Sequence, residues 1–152
     1  MIRSYFAQIC LGLDYLHSRG IIHCDVKPDN VLMASIDQLK LADFGVCQNV
    51  DLFSDDDTIS GEDGTPLYHP PEMFNPNIWK YSGSKLDIWS VAVILFQMIT
   101  GELPFFKQGI MTDDEHQAIR KGTIDYPPVI RDNILLMDLF NRKFDSFRIF
   151  SQ

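Results

Sequence analysis

Residues 23–30, His-Cys-Asp-Val-Lys-Pro-Asp-Asn, decide how the rest of this sequence is interpreted. The proline inside this stretch prevents a continuous helix, so we predict a loop at residues 24–30 that follows a short buried strand at residues 21–23. Two more short strands are predicted at residues 31–33 and 39–41, as a hairpin around a turn. Because a hairpin returns the chain to its starting point, we expect this loop to lie beside the Asp-Phe-Gly sequence at residues 43–45.

The spacing of polar residues in these two loops is specific. Lys27 follows Asp25 by two residues, Asn30 follows it by five, and Asp43 opens the Asp-Phe-Gly tripeptide beyond the hairpin. This combination closely resembles the catalytic loop and the metal-binding motif of the eukaryotic protein kinases. The position of Lys27 is similar to that in the serine/threonine branch, and Thr65 agrees with that branch.

The resemblance extends along nearly the whole chain. Residues 64–72, Gly-Thr-Pro-Leu-Tyr-His-Pro-Pro-Glu, look like the end of a kinase activation segment. Residues 87–90 look like the start of the buried central helix, and residues 101–105 look like its exit. The acidic segment ahead of residue 64 and the segment 74–84 resemble the calmodulin-dependent kinase kinases and their tumour-suppressor relatives.

The resemblance implies phosphoryl transfer from ATP with Mg²⁺ as the cofactor. It implies that Asp25 orients a substrate hydroxyl and accepts its proton, while Lys27 steadies the transferred phosphate. Asn30 and Asp43 are implied to hold Mg²⁺ through oxygen ligands. The implied catalytic set is Asp25, Lys27, Asn30 and Thr65. The implied nucleotide-contacting set is Lys27, Asn30, Leu32 and Asp43.

Other residues have structural roles by the same resemblance. His23 and Phe44 are implied to stack, and Asp87 is implied to accept hydrogen bonds from the backbone of the catalytic loop. Glu72 is implied to pair with a late arginine, for which Arg148 is the candidate. The remaining histidines are expected to be surface or partly packed residues: His17, His69 and His116.

The fold class expected from these motifs is mainly α, a kinase-like C-terminal lobe with one short β-hairpin and with the small β-rich lobe absent. An apolar stripe predicts an amphipathic helix at residues 2–16, and a run that is apolar nearly all round predicts a buried helix at residues 85–100. Further helices are predicted at residues 113–121 and 134–140. We therefore expect residues 1–152 to be a partial kinase domain, the large lobe only, truncated at both ends.

Composition narrows the function classes. The chain has 152 residues and a formal net charge of -8, which repels a nucleic-acid backbone. It contains no apolar run of the roughly 20 residues needed to span a bilayer. Its three cysteines form no Cys-x-x-Cys pair, so neither a disulfide framework nor a zinc site is expected, and a reducing cytoplasm or nucleus fits best. The expected partner is a protein substrate that is basic around its acceptor Ser or Thr, with no nucleic acid and no membrane.

Two departures from the kinase pattern leave alternatives open. Cys24 replaces the arginine that usually precedes the catalytic aspartate and binds an activation-loop phosphate, so we expect activity that does not depend on that pairing. The sequence also lacks the Gly-rich loop and the lysine that grip ATP phosphates, which favours a second hypothesis, a catalytically inactive docking module. A third, a metal-dependent hydrolase built on Asp25 and Asp43, leaves Lys27 unexplained.

Overall fold

This computed structural model describes residues 1–105, 119 and 124–145. Its helices are α1 (Ile2–His17), α2 (Gly83–Thr100), α3 (Pro128–Arg131) and α4 (Ile134–Asp145). Its strands are β1 (Ile21–Ile22), β2 (Val31–Ser35), β3 (Gln38–Leu41), β4 (Gln48–Asn49), β5 (Thr58–Ser60) and β6 (Lys80–Ser82). Short 3-10 turns cover Pro28–Asn30, Pro66–Tyr68 and Pro71–Phe74. The helix predicted at 113–121 lies outside the described residues, apart from the buried Ile119.

Helix α2 forms the centre of the core. The Ser82 side chain accepts a hydrogen bond from the Lys85 backbone N–H at its start, and Gly101, at φ 79°, ends it in a left-handed conformation. Its Trp89 side chain is 1% exposed, with ring centroids 5.6 Å from Phe105 and 4.8 Å from Phe144. A helix that is apolar nearly all round must be covered on every side. The rings of Phe105 and Phe144 cover the side that carries Trp89.

Helix α1 packs one face against this core, as its apolar spacing predicts. Ile9, Leu13 and Leu16 are buried on that face. The chain then turns at Gly20, at φ 69°, where an added Cβ would lie 2.4 Å from the Val50 carbonyl oxygen. Only glycine fits this close approach without strain. The turn leads directly into β1.

Within the described residues, the strands form three two-stranded antiparallel sheets: β1 with β4, β2 with β3, and β5 with β6. The predicted hairpin is β2–β3, with Val31 opposite Leu41 and Leu32 opposite Lys40. The other two sheets join segments that are far apart in sequence, with Ile22 opposite Gln48 and Ile59 opposite Tyr81.

The expectation of a mainly α chain with one short hairpin is therefore wrong. In the described part of the chain, six short strands lie between Ile21 and Ser82, ahead of α2, α3 and α4. The missed strands are two or three residues long and partly polar, so their alternation is too short to read, and their pairing depends on tertiary contacts.

Candidate active site

The loop at residues 23–30 is fixed to helix α2 by one buried carboxylate. Asp87 is fully buried; its Oδ2 accepts a hydrogen bond from the His23 backbone N–H at 2.9 Å, and its Oδ1 accepts from the Cys24 N–H at 3.0 Å. His17 Nε2 of α1 lies 2.7 Å from the same Oδ2. Cys24 takes a positive φ of 67°, which turns the chain sharply between these anchors and Asp25. The shape of the loop is thus set by a residue of the core helix.

Beyond this anchor, Asp25, Lys27 and Thr65 form a closed ring of contacts. Lys27 Nζ donates to Thr65 Oγ1 at 2.8 Å and lies 2.7 Å from Asp25 Oδ2. The Thr65 hydroxyl donates to Asp25 Oδ1 at 2.7 Å. Asn30 Nδ2 completes the cluster by donating to the Asp25 carbonyl at 2.9 Å and to its Oδ2 at 3.0 Å. The structure brings the four predicted catalytic residues together, and their catalytic role stays a prediction.

The electrostatics of this cluster favour an ionised Asp25. Partial burial by itself raises the pKa of Asp25, but the hydrogen bonds from Lys27 and Thr65 outweigh burial and hold the pKa below its ordinary value. At neutral pH the group is a carboxylate that can accept a proton, surrounded by donors that fix its orientation.

Asp43 lies on the adjoining loop, held near Asn30 by backbone contacts. The Ala42 N–H donates to the Asn30 carbonyl at 2.9 Å, and His23 Nε2 lies 3.0 Å from the Ala42 carbonyl. Asp43 itself is exposed, at φ 60°, and its Oδ1 accepts from the Gly45 N–H at 3.3 Å. The implied stacking neighbour of His23, Phe44, has its ring centroid 5.2 Å away, tilted by 46°.

Asn30 and Asp43 fit a magnesium ion that takes most of its ligands from water and phosphate. Because Asn30 Nδ2 is committed to Asp25, its amide oxygen is the atom that it could offer a cation. The Asp43 carboxylate is a second hard oxygen donor, and Mg²⁺ in nucleotide sites often uses only one or two protein groups. Among residues 1–105, 119 and 124–145, no cluster of three or more His, Cys, Asp or Glu side chains could hold a metal.

Leu32 lies on β2, opposite Lys40, with 54% of its surface exposed. The next residue, Met33, is 62% exposed. The strand therefore presents apolar surface directly after the loop that carries Asn30, a position that suits a flat apolar ring.

Glu72 has a carboxyl oxygen without a partner among the described residues. Its Oε2 is buried without a hydrogen bond, and burial raises the pKa of Glu72 to about 7. The proposed partner, Arg148, lies outside the described residues. A buried carboxyl group in this state would be stabilised by a cation.

The expectation of a surface or partly packed side chain is wrong for His69, which is buried, while His116 lies outside the described residues. The His69 side chain is 7% exposed, its Nε2 has no hydrogen-bond partner in the described part of the chain, and burial lowers its pKa to about 4. Its position between Tyr68 and Pro70 gives no periodic signal, so nothing in the local sequence marks it as buried. His17 is partly buried, as expected, and its ring contacts Asp87.

Comparison with known proteins gives consistent results. The family model described as "Protein kinase domain" matches residues 1–142. Serine/threonine-protein kinase STK11 of Gallus gallus is 45% identical over 124 residues, which cover 82% of this chain and 28% of that protein. Serine/threonine-protein kinase par-4 of Caenorhabditis briggsae is 34% identical over 142 residues, or 93% of this chain and 22% of that protein. CBL-interacting protein kinase 5 of Oryza sativa subsp. japonica is 38% identical over 125 residues, or 82% and 26%. The chain thus spans about a quarter of the length of these relatives.

The family match also bears on the fold class. It begins at residue 1, and in the structure a strand-containing region precedes the C-terminal helices. The fold-class expectation of a C-terminal lobe with the β-rich part absent is therefore wrong, and we describe the chain as a mixed α and β structure. Within the described residues, no helix is both long enough and apolar enough to cross a membrane.

Proposed function

The chain belongs to the protein kinase domain family, in its serine/threonine branch, and from this premise we propose that it transfers the γ-phosphoryl group of ATP to Ser or Thr hydroxyls of a protein substrate. The observation that carries the proposal is the contact network of Asp25, Lys27, Asn30 and Thr65. Phosphoryl transfer asks a protein mainly for positioning and charge stabilisation, and this network supplies both.

In the proposed reaction, Asp25 holds the substrate hydroxyl in line and receives its proton. The contacts to Lys27 and Thr65 already orient both carboxylate oxygens, so little rearrangement precedes the reaction. The depressed pKa of Asp25 keeps it ionised at neutral pH. A weakly basic carboxylate suits a reaction in which the proton leaves the hydroxyl late, because orientation then matters more than base strength.

Lys27 and Thr65 place a positive charge and a hydroxyl beside Asp25. The Lys27 ammonium is 2.7 Å from Asp25 Oδ2 and can compensate the negative charge of the transferred phosphoryl group. Thr65 bridges Lys27 and Asp25, which ties the segment around residue 65 to the catalytic loop. A substrate hydroxyl that reaches Asp25 would thus lie close to the Lys27 ammonium, the group proposed to bind the transferred phosphoryl group.

Asn30 and Asp43 are the proposed Mg²⁺ ligands, and Leu32 the proposed contact for the adenine ring. Mg²⁺ held by Asn30 and Asp43 would neutralise negative charge on the phosphate groups of ATP. The backbone bond between Ala42 and Asn30 keeps the two ligand-bearing loops together.

The proposed substrate is basic around its acceptor residue. From residue 41 to residue 79 the sequence has no Lys or Arg, while it contains Asp55, Asp56, Asp57, Glu62 and Asp63. The acidic residues from 55 to 63 directly precede Thr65 in the chain, so their negative charge would attract a basic peptide towards Thr65 and Asp25. Three free cysteines support a cytoplasmic or nuclear location.

Isothermal calorimetry of Mg²⁺-dependent ATP binding tests the nucleotide site. We expect measurable binding by the chain, at least about tenfold weaker binding by Asp43→Asn, and unchanged binding by Asp37→Asn, which makes the same charge change in the exposed β2–β3 turn. Absence of binding by a folded chain, or equal binding by Asp43→Asn, would contradict the proposal and favour a docking role.

A further inference from the structure

The acidic loop, residues 55–63 ahead of Thr65, is attached to the N-terminus of helix α2 through Asp57. Asp57 Oδ2 accepts hydrogen bonds from Ser82 Oγ at 2.8 Å, from the Ser84 backbone N–H at 2.9 Å, and from Ser84 Oγ. The Asp57 carbonyl accepts from the Gly83 N–H at 3.0 Å. One residue of the loop therefore binds three consecutive residues at the start of α2.

The charge of Asp57 suits this position. The first turn of α2 contains no acidic residue, so Asp57 supplies the negative group that the positive end of the helix dipole favours. Burial by itself raises the pKa of Asp57, but the hydrogen bonds from Ser84 and Ser82 outweigh it and hold the pKa below the ordinary value. The contact is consequently made by a carboxylate at neutral pH.

An apolar contact continues the attachment two residues further along. Ile59 on β5 is 5% exposed and belongs to a buried cluster with Cys24, Tyr81 and Leu86. Burial raises the pKa of the Cys24 thiol to about 12, so residue 24 contributes a neutral group to this cluster. Cys24 therefore holds the acidic loop by packing in the same cluster as Ile59, and it offers no positive charge to a phosphate on that loop.

From β5 the attachment reaches the catalytic cluster in a few residues. Gln48 Nε2 donates to the Ser60 carbonyl at 2.8 Å, and the Tyr81 hydroxyl donates to the Gly61 carbonyl. Gly64, at φ 106°, then lies so close to the catalytic loop that an added Cβ would be 2.4 Å from the Cys24 carbonyl oxygen. Thr65 follows immediately and contacts Asp25.

We propose that Asp57 is a positioning residue for Thr65. Its carboxylate fixes residues 57–60 to the start of α2, and the contacts of Gly61 with Tyr81 and of Gly64 with Cys24 carry that position on to the hydroxyl beside Asp25. The loop is held by an internal carboxylate and an apolar cluster, without a phosphate on the loop. The kinetic consequence of this inference rests on the proposed kinase function, whereas the attachment itself does not.

Hydrogen exchange followed by mass spectrometry tests the attachment in the whole chain. We expect Asp57→Ala to speed exchange in peptides that cover residues 57–65 and 82–86 by about tenfold or more, since charge-assisted hydrogen bonds are lost there. Asp55→Ala, an exposed neighbour, is the matched control and should change nothing in these peptides. Ser84→Ala keeps the backbone N–H donor and should give a smaller increase in the same two segments, which provides a milder variant if Asp57→Ala unfolds. Unchanged exchange in Asp57→Ala and Ser84→Ala, or an equal effect of Asp55→Ala, would overturn the proposal.

Steady-state phosphorylation of a Ser/Thr peptide separates positioning from mere stability. A positioning role predicts that Asp57→Ala lowers kcat by about tenfold while the KM for ATP is unchanged, and that phosphatase treatment of the wild-type chain leaves kcat unchanged. A rise in the KM for ATP with kcat preserved, or a loss of activity on phosphatase treatment, would overturn it. If the wild-type chain transfers no phosphate, the proposed function fails, and the exchange experiment still decides whether Asp57 holds the loop.

Discussion

The close approach of Gly64 to the loop at residues 23–30 predicts that Gly64→Ala is strongly destabilising. Gly64 has a φ of 106°, which side-chain-bearing residues rarely adopt, and its added Cβ would lie 2.4 Å from the Cys24 carbonyl oxygen and 3.0 Å from His69 Nε2. The carbonyl cannot retreat freely, because the N–H of the same residue, Cys24, is held by Asp87 at 3.0 Å. The substitution must therefore move either the loop or the segment that carries Thr65.

The magnitude follows from two contributions. A residue with a Cβ in such a backbone conformation costs about 1 to 3 kcal/mol. The clash with a backbone oxygen adds about 1 to 3 kcal/mol, the usual cost of forcing extra atoms into a packed site. We expect the free energy of unfolding to fall by about 2 to 6 kcal/mol, a large part of the stability of a domain of this size.

Gly101→Ala provides the matched control. Gly101 also has a positive φ, of 79°, but an added Cβ there meets nothing within 4 Å. It should cost only the backbone strain, about 1 to 2 kcal/mol for a left-handed residue that carries a Cβ. Urea denaturation of both variants, with unchanged m-values, measures the difference. If Gly64→Ala is no less stable than Gly101→Ala, the close approach on which this reasoning depends does not exist.

Two further predictions concern buried polar groups. Because burial lowers the pKa of His69 to about 4, its contribution to stability is complete above its ordinary pKa of 6.5 and is lost as the pH falls towards 4. We expect this loss to reach about 3 kcal/mol in the wild-type chain and to be absent in His69→Gln, as measured by urea denaturation at a series of pH values. If the stability of the two proteins changes with pH in the same way, His69 is not the group responsible. Asp87→Asn should lower the free energy of unfolding by about 3 kcal/mol, because one acceptor oxygen cannot serve both the His23 and Cys24 N–H groups. Asp14→Asn, on the exposed face of α1, should lower it by less than about 0.5 kcal/mol. Equal effects of the two substitutions would show that the buried carboxylate does not hold the loop.

The parts of the fold that were predictable are those with a long local signal. Helix α1 buries Ile9, Leu13 and Leu16, which recur at helical spacing, and α2 is apolar over most of its length. The hairpin β2–β3 was also predictable, since its strands are separated by one short turn. Each of these elements is determined largely by its own residues.

The unpredicted strands depend on contacts between distant segments. Strand β4 consists of Gln48 and Asn49, two polar residues without β propensity, and it forms only because β1 lies beside it. Strand β5 owes its position to Ile59 in the apolar cluster and to Asp57 at the start of α2. The misassigned fold class follows from this, because a prediction built on local motifs undercounted the strands.

The candidate site shows the same division. The spacing of Asp25, Lys27 and Asn30 is a local property and marked the loop directly. Thr65 was proposed from the resemblance, and its contacts with Lys27 and Asp25, close to forty positions earlier, could come only from the fold. The attachment through Asp57 had no signal, because in the sequence this residue is one of three consecutive aspartates.

Transfer of labelled γ-phosphate from ATP to Ser/Thr peptides, with basic and acidic flanking sequences compared, tests the central claim most directly. We predict Mg²⁺-dependent transfer by the chain, faster to the basic peptide, and a loss of at least about 100-fold in Asp25→Asn, the usual scale for removal of a positioned acid–base group. Asp14→Asn makes the same charge change at an exposed position and should transfer phosphate at the wild-type rate. A folded wild-type chain that transfers no phosphate, or an Asp25→Asn variant that transfers it as fast as wild type, would contradict the account.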